Sequence, residues 1–462
     1  MQKDKKKHIY IIGIGGKGLT SIAEFCISKG YQVSGSDIRQ SPETDAVTKK
    51  GAHVYFNQDG SHVTFDIDLV VYSSIIPESH PERVRAGELG MQTLERAHFL
   101  GQLTKEFERI SVAGSHGKST TSALTALALK SIYGEINAIT GSYIKEFDSY
   151  QSSGNTRECV LEACEYSKSF LHIPGDYTLI TTLEKSHMEY FKNEEHMNRA
   201  FKDFVSCHKP SATLIINGDN QILKDICTKH TGEVVTCGFG TNNQYVIRDV
   251  ELKSHSSVFS VYKLGTCLHK NITIKIPGLY NILNVALVYV LLDQKGLDSK
   301  EFKNILRSFT GVGRRFEISQ HKKTTFVDDF AHHPTQVKNL ILGLKQFFPH
   351  KQICAVFEPR QYHLIKTFLK EYGKSFNLAD HVYVTDIVPA LGDSDEDMRS
   401  LSAEDVVNSI KKHSVSKKVQ YGVSYQAIAD SLKLQDLSKT VVATIGAGSI
   451  FKVRDLLING VQ

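Results

Sequence analysis

Ala113-Gly114-Ser115-His116-Gly117-Lys118-Ser119-Thr120 decides how this chain is read. Ahead of it Arg109-Ile110-Ser111-Val112 is β-rich, and behind it Thr121 to Leu129 is rich in Ala and Leu and favours a helix. A glycine turn between a strand and a helix turns the first N–H groups of the helix outward, where the helix dipole also favours an anion. Lys118 adds a full positive charge, and the hydroxyl of Ser119 or Thr120 suits Mg²⁺. The pattern predicts a nucleoside triphosphate cradle made of Gly114, Ser115, His116, Gly117, Lys118, Ser119 and Thr120. The strict G-x-x-x-x-G-K-[ST] spacing is missed at one position, with Val112 where the first glycine belongs.

The rest of the chain is long enough to surround such a cradle with further domains. At 462 residues, with domains of about 100 to 200 residues each, three is the natural expectation. Hydrophobic residues at 41% and charged residues at 23% exclude a disordered or fibrous chain, and no apolar run is long enough to cross a bilayer. A net charge of +5 is small for this length, and its one basic cluster, Lys3 to Lys7, reads as a solvated tail. Neither a nucleic-acid partner nor membrane insertion is expected. Eight cysteines are scattered without a C-x-x-C pair or zinc spacing, and no secretory leader precedes the first strand, so a reducing cytoplasm fits.

A second glycine turn lies upstream. His8 to Ile12 is a β-rich run that breaks into Gly13-Ile14-Gly15-Gly16-Lys17-Gly18 and then a helical stretch. The next strand, Gln32 to Ser36, ends at Asp37, where an acidic group can accept from a ribose or base edge. Taken alone this pattern says NAD-dependent oxidoreductase. Two nucleotide-type turns in one chain, with no evident hydride-transfer acid, leave a different diphosphate open. Asp66 to Tyr72 is a further strand and delivers Ser73 and Ser74 to the same sheet edge, where doubly wound sheets bind ligands.

Downstream, Glu158 to Leu161 is a strand delivering Glu162 and Glu165, and Tyr177 to Thr182 is another delivering Glu184 and His187. Both ends are expected near the phosphates, where an acid and a neutral imidazole suit a divalent metal; surface solvation is the competing reading for each. Asn281 and Asn284, three apart at a helix start, share a face and can read an adenine edge, although capping also explains Asn281. From about Arg314 onward a third α/β segment begins. Its strand Thr325 to Val327 ends in Asp328-Asp329-Phe330-Ala331-His332-His333-Pro334, and its strand Ile353 to Phe357 in Glu358-Pro359-Arg360-Gln361. A capping or core histidine is the plain alternative for His332.

The ordered motifs, namely the N-terminal glycine turn, Gly-Ser-His-Gly-Lys-Ser-Thr, the acidic and histidine strand ends, Arg314-Arg315-Phe316-Glu317 and Asp-Asp-Phe-Ala-His-His-Pro, resemble the Mur ligase family over nearly the whole chain. Within it, Gly35 to Asp37, Ser73 to Pro77 and Leu94-Glu95-Arg96-Ala97 are similar to the members that join L-alanine to UDP-N-acetylmuramate. The resemblance implies a three-domain α/β architecture: a Rossmann-like UDP-sugar domain (1–106), a central P-loop ATPase domain (107–313) and a Rossmann-like amino-acid domain (314–462). It implies ATP and Mg²⁺, with Mn²⁺ as a substitute, and amide formation through an acyl phosphate in peptidoglycan precursor synthesis, by a monomer or homodimer.

Carried over by motif position, Lys118, Glu162, His187 and His332 are catalytic, and Ser119, Thr120, Glu162 and His187 hold the metal. Asn281, Asn284 and Arg315 join the ATP site. Gly13, Gly15, Gly16, Gly18, Asp37, Ser73 and Ser74 hold the UDP-sugar, and His332 and Arg360 receive the amino acid. The chain departs from the alanine-joining members in four places. Phe330 replaces a Tyr, Glu358-Pro359-Arg360-Gln361 replaces Gln-Pro-His-Arg, Cys164 replaces an Asp, and Ser186 replaces the Asp before His187. Glu-Pro-Arg also occurs in the relative that attaches a tripeptide, which leaves the amine open.

Overall fold

The computed structural model describes residues 6–187, 190–390, 393–415 and 418–459; of the basic cluster at the start, Lys3 and Lys5 lie outside them. The chain forms two compact units. One comprises Met1–Glu184, Asn198–Cys237 and Leu287–Phe302, the other Lys185–Met197, Gly238–Ala286 and Lys303–Gln462.

The first unit opens with a wholly parallel sheet in the order His53–Tyr55, Gln32–Ser36, His8–Ile12, Leu69–Tyr72, Thr93–Glu95. His8–Ile12 is central and buried along its whole length, as a continuous apolar run in a two-sided sheet must be. The strand order reverses beside this strand, and the turn Gly13 to Gly18 leaves its carboxyl end. That is the switch point at which doubly wound sheets open a crevice.

A second sheet in this unit runs Glu233–Gly238, Thr213–Asn217, Tyr177–Ile180, Glu108–Ala113, Glu158–Glu162, Asn137–Ile144, Ser149–Ser152, parallel except for its last pair. Glu108–Ala113 lies between Tyr177–Ile180 and Glu158–Glu162. Val112 is level with Glu162, and Ala113 with Ile180. Because the three strands run parallel, their carboxyl ends reach one edge together. The helix Lys118–Tyr133 starts there.

The second unit contains an antiparallel ribbon, Tyr245–Lys253, Ser256–Lys263 and Thr266–Ile274. It also holds a six-stranded sheet in the order Glu317–His321, Thr324–Asp329, Thr440–Ile445, Gln352–Phe357, His381–Val384, Lys418–Tyr421, parallel except for the first pair. Side chains alternate between its faces. Val327, Ala355, Val384 and Ile445 pack with Leu340 and Val406 on one side, and Phe326, Val356 and Val442 pack with Ile428 and Val453 on the other. Helices thus cover both faces, and polar groups are left to the strand ends.

Candidate active site

The cradle is a backbone fitted closely to its neighbours. Gly114 and Gly117 take φ of +125° and +83°, a region costly for any residue with a Cβ. A Cβ on Gly114 would stand 2.2 Å from Thr181 Oγ1 and 2.9 Å from the Thr182 carbonyl oxygen. Ser115 N donates to Thr182 O at 2.8 Å, Ser115 Oγ donates to Glu184 O at 2.8 Å, and Glu184 N donates back to that hydroxyl at 3.0 Å. Thr181 Oγ1 donates to His116 O, and His116 Nε2 lies 3.7 Å from the Glu184 carboxylate. The strand end after Ile180 therefore clamps the loop, with Glu184 as its outer brace.

Lys118 begins the helix with its ammonium buried. Nζ donates to Gly114 O at 2.6 Å and pairs with Glu165 Oε2 at 2.7 Å. Burial alone would lower its pKa. The Glu165 carboxylate, with smaller help from Cys164 and Glu162, outweighs burial and holds the ammonium above the ordinary lysine value. One residue on, Ser119 Oγ donates to Glu162 Oε1 at 3.1 Å, while Gly141 N donates to Glu162 Oε2 at 2.9 Å. Ser119, rather than Thr120, is the hydroxyl joined to the acid. A hydroxyl and a carboxylate aligned at the foot of a phosphate cradle are hard oxygen donors of the kind Mg²⁺ takes.

At the N-terminal turn, Gly13 N and Ile14 N donate to Ser36 O at 2.8 and 3.0 Å. Asp37 accepts from Gly15 N at 2.8 Å and from Ile38 N at 2.8 Å, so this acid holds its own glycine turn in shape. The helix that follows, Lys17–Ser28, has Gly16 at its N-cap with no side-chain cap hydrogen bond, and Leu19 N and Thr20 N each donate to Gly16 O at 2.8 Å. Ser73 follows the strand Leu69–Tyr72 and its carbonyl accepts from Ile76 N at 2.9 Å; Ser74 beside it is exposed.

In the second unit, Asn281 Nδ2 donates to Pro277 O at 2.7 Å and Asn284 Nδ2 to Asn281 Oδ1 at 3.3 Å, and both residues are buried. They share a face as the spacing predicts. His187 takes φ +52°, and its carbonyl accepts from Tyr190 N and Phe191 N. Arg315 stacks on Phe330, its guanidinium carbon 5.0 Å from the ring centre. His332 Nδ1 faces Phe330 O at 3.1 Å, and burial, aided by the Arg315 charge, lowers its pKa to about 4. It is therefore neutral at pH 7, and the carbonyl fixes the proton on Nδ1 and leaves Nε2 an acceptor. The helix cap is its neighbour: His333 accepts from Thr335 N, and Gln336 reaches back to His333 N. Arg360 lies three residues past the strand Gln352–Phe357, bridged to Val388, just before Gln361, which is held at φ +71°.

The Asp-Asp pair plays structural parts. Asp329 accepts from Phe316 N at 2.7 Å and Ala331 N at 2.8 Å. Asp328 accepts from Arg314 Nε at 2.9 Å and from Thr444 Oγ1 at 2.7 Å, and the Arg314 fork also donates to the Gly446 and Gly448 carbonyls. Sequence reasoning passed over Arg314 and left Glu165 without a role. The available signals were an Arg directly before the Arg of interest and an acid three residues after Glu162.

Residues 8–108 match the model of the Mur ligase family catalytic domain, 112–292 that of the Mur ligase middle domain, and 314–448 that of the Mur ligase glutamate ligase domain. The chain belongs to the Mur ligase family. This Mur ligase has the three-domain architecture of that family, read in order along the chain. It is 32% identical to the UDP-N-acetylmuramate–L-alanine ligase of Alkaliphilus metalliredigens, across 99% of this chain and 98% of that one. Its identity to the enzyme of the same name from Persephonella marina is 30%, across 98% and 97%. In fold this Mur ligase matches the UDP-N-acetylmuramate–alanine ligase of Thermotoga maritima with a TM-score of 0.82 at 25% identity, covering 98% of each chain. It also matches the fold of a murein peptide ligase of Psychrobacter arcticus, with a TM-score of 0.71 at 20% identity over 99% of each chain. No helix among the described residues is long and apolar enough to cross a membrane.

Proposed function

We propose that this Mur ligase uses ATP to join L-alanine to the lactyl carboxylate of UDP-N-acetylmuramate, in the cytoplasm, as a step in peptidoglycan precursor synthesis. The observation that carries the reading is one compact unit holding both a diphosphate-type turn, Gly13 to Gly18, and a triphosphate-type cradle around Lys118. Relatives bearing that name, matched almost end to end, support the same substrates. On this reading 1–106 holds the UDP-sugar through Gly13, Gly15, Gly16, Gly18, Asp37, Ser73 and Ser74. The segment 107–313 holds ATP, and 314–462 receives the amino acid.

A carboxylate resists attack by an amine because its leaving group would be oxide. Its oxygen therefore first attacks the γ-phosphorus of ATP, the bond to ADP breaks, and an acyl phosphate forms. The uncharged amine then attacks the acyl carbon, phosphate leaves with the bonding pair, and the nitrogen gives up a proton. Lys118 exchanges Glu165 for phosphate oxygens and offsets their charge as the γ-group transfers. Ser119 and Glu162, with His187, would hold Mg²⁺ or Mn²⁺, which when bound offsets the repulsion between two anionic reactants. Asn281 and Asn284 lie by the adenine, and Arg315 contacts phosphate. Neutral His332 presents Nε2 to orient the amine, and Arg360 takes the amino-acid carboxylate.

The test is phosphate release on mixing protein, ATP, Mg²⁺, UDP-N-acetylmuramate and a panel of amines comprising L-alanine, glycine, L-serine and a tripeptide. Release that depends on both the UDP-sugar and L-alanine is expected. Release indifferent to the UDP-sugar sinks the reading, and release with the tripeptide alone replaces the amine.

A further inference from the structure

Arg96, in the segment Leu94 to Ala97, has no part in the site described so far. It opens the helix Arg96–Leu103, and its side chain lies against Gly18, the last glycine of the N-terminal turn. A Cβ on Gly18 would stand 3.4 Å from both Cδ and Nη1 of Arg96, so the bare glycine makes room for the guanidinium. On its other side the helix packs on the turn Tyr166–His172, which directly follows Glu165. His98 stacks on His172 with ring centres 4.9 Å apart, and a Cβ on Gly101 would come 2.5 Å from the His172 carbonyl oxygen. Gly101 permits that close approach. The helix is therefore fixed between the diphosphate-type turn and the strand end that supplies Glu162 and Glu165.

The guanidinium therefore sits beside the diphosphate-type turn, on a helix packed against the segment that follows Glu165. Lys118 is already paired with Glu165, whereas Arg96 is half-buried and makes no ion pair or side-chain hydrogen bond among the described residues. A planar cation with free donors fits a planar anion that must lie between the sugar turn and the γ-phosphate. A carboxylate can take two parallel hydrogen bonds from such a fork, and an arginine cannot lose its charge to a neighbouring phosphate.

We propose that Arg96 binds the sugar-borne lactyl carboxylate bidentately and holds it at the cradle for phosphorylation. This rests on the reading of UDP-N-acetylmuramate as the phosphoryl acceptor. It makes Arg96 a catalytic residue of the first half-reaction, distinct from the groups that grip the diphosphate.

UDP-N-acetylglucosamine separates the two roles, since it carries the same diphosphate and lacks the lactyl group. Binding of each UDP-sugar by calorimetry to wild type, Arg96→Gln and Arg96→Lys is the measurement, with binding of a non-hydrolysable ATP analogue followed alongside. Both variants are expected to weaken UDP-N-acetylmuramate by about 30-fold, to change UDP-N-acetylglucosamine by less than about twofold, and to bind the ATP analogue as wild type does. Arg96→Lys keeps the charge and loses the fork, and its kcat is expected to fall while its KM for ATP holds. Equal weakening of both sugars places Arg96 on the diphosphate and overturns the proposal. Unchanged sugar binding, or loss of the ATP analogue as well, overturns it too. Wild-type protein that binds neither UDP-sugar removes the acceptor reading itself, and the Arg96 assignment falls with it.

Discussion

Lys118 Nζ lies 2.7 Å from the fully buried Glu165 carboxylate, so the cation of the cradle carries an internal counter-ion. Lys118 is held above its ordinary pKa, chiefly by Glu165 working against burial. A raised folded-state value means the pair contributes in full below the unfolded lysine pKa and fades only as pH climbs through the folded one. At neutral pH it is intact. Glu165→Gln leaves a buried ammonium without its partner and is expected to cost roughly 3 kcal/mol of stability at pH 7, read by urea unfolding. A cost below about 1 kcal/mol would show the pair to be dispensable.

Gly114→Ala should disable the cradle. Its φ of +125° disfavours a Cβ, and that Cβ would meet Thr181 Oγ1 at 2.2 Å. Strain and overlap together predict a loss of about 2 kcal/mol or more and of ATP binding. Thermal unfolding with and without an ATP analogue reads both. Preserved stabilisation by the analogue contradicts this account.

Glu162→Gln keeps the shape of the acid that accepts from Ser119 and Gly141 and removes its charge. On the proposed metal site the Mg²⁺ concentration giving half-maximal turnover rises by on the order of tenfold or more, and chelation by EDTA abolishes wild-type turnover. A Mg²⁺ titration curve identical to wild type removes Glu162 from the metal site.

Acid should weaken the protein through buried histidines. Burial lowers both His208 and His333 to about 4, against an unfolded value near 6.5. Each is neutral when folded, so their stability contribution is complete above about pH 6.5 and drains as pH falls towards 4, at roughly 1.4 kcal/mol per pH unit per histidine. His208→Gln and His333→Gln should each flatten the slope of unfolding free energy between pH 6.5 and 5 by about one proton. Parallel slopes in variant and wild type would refute the assignment.

Arg314→Lys loses the fork that spans Asp328 and the Gly446 and Gly448 carbonyls. A single ammonium cannot reach all three, and the expected cost is roughly 3 kcal/mol by chemical denaturation. Arg315→Lys, one residue on, should leave stability within about 1 kcal/mol, because Arg315 is stacked on Phe330 and makes no such fork among the described residues.

The sequence by itself determined the strands that feed the ligand edges, because each is a short run that breaks into a glycine or polar cluster. His8–Ile12 and Gln32–Ser36 fall at the residues read from the sequence, and the strand before the cradle begins one residue earlier, at Glu108. It also determined the cradle, since Gly114 and Gly117 are demanded by backbone conformation and the helix start follows at once. The ribbon Tyr245–Ile274 and the strands Asn137–Ile144 and Ser149–Ser152 were not read. Their residues alternate with bulges and exposed positions, and such a pattern is fixed by pairing partners more than by local preference.

Tertiary structure alone decided which charge meets which. Lys118 and Glu165 are 47 residues apart, and Asp328 and Thr444 are 116 apart. Asp37 accepts from the Gly15 backbone inside its own turn, and the acid pair Asp328-Asp329 braces Arg314 and two backbone amides. Side-chain chemistry shows that a carboxylate seeks donors. Which donors it finds depends on strand order and on the close approaches that glycines such as Gly18 and Gly101 allow.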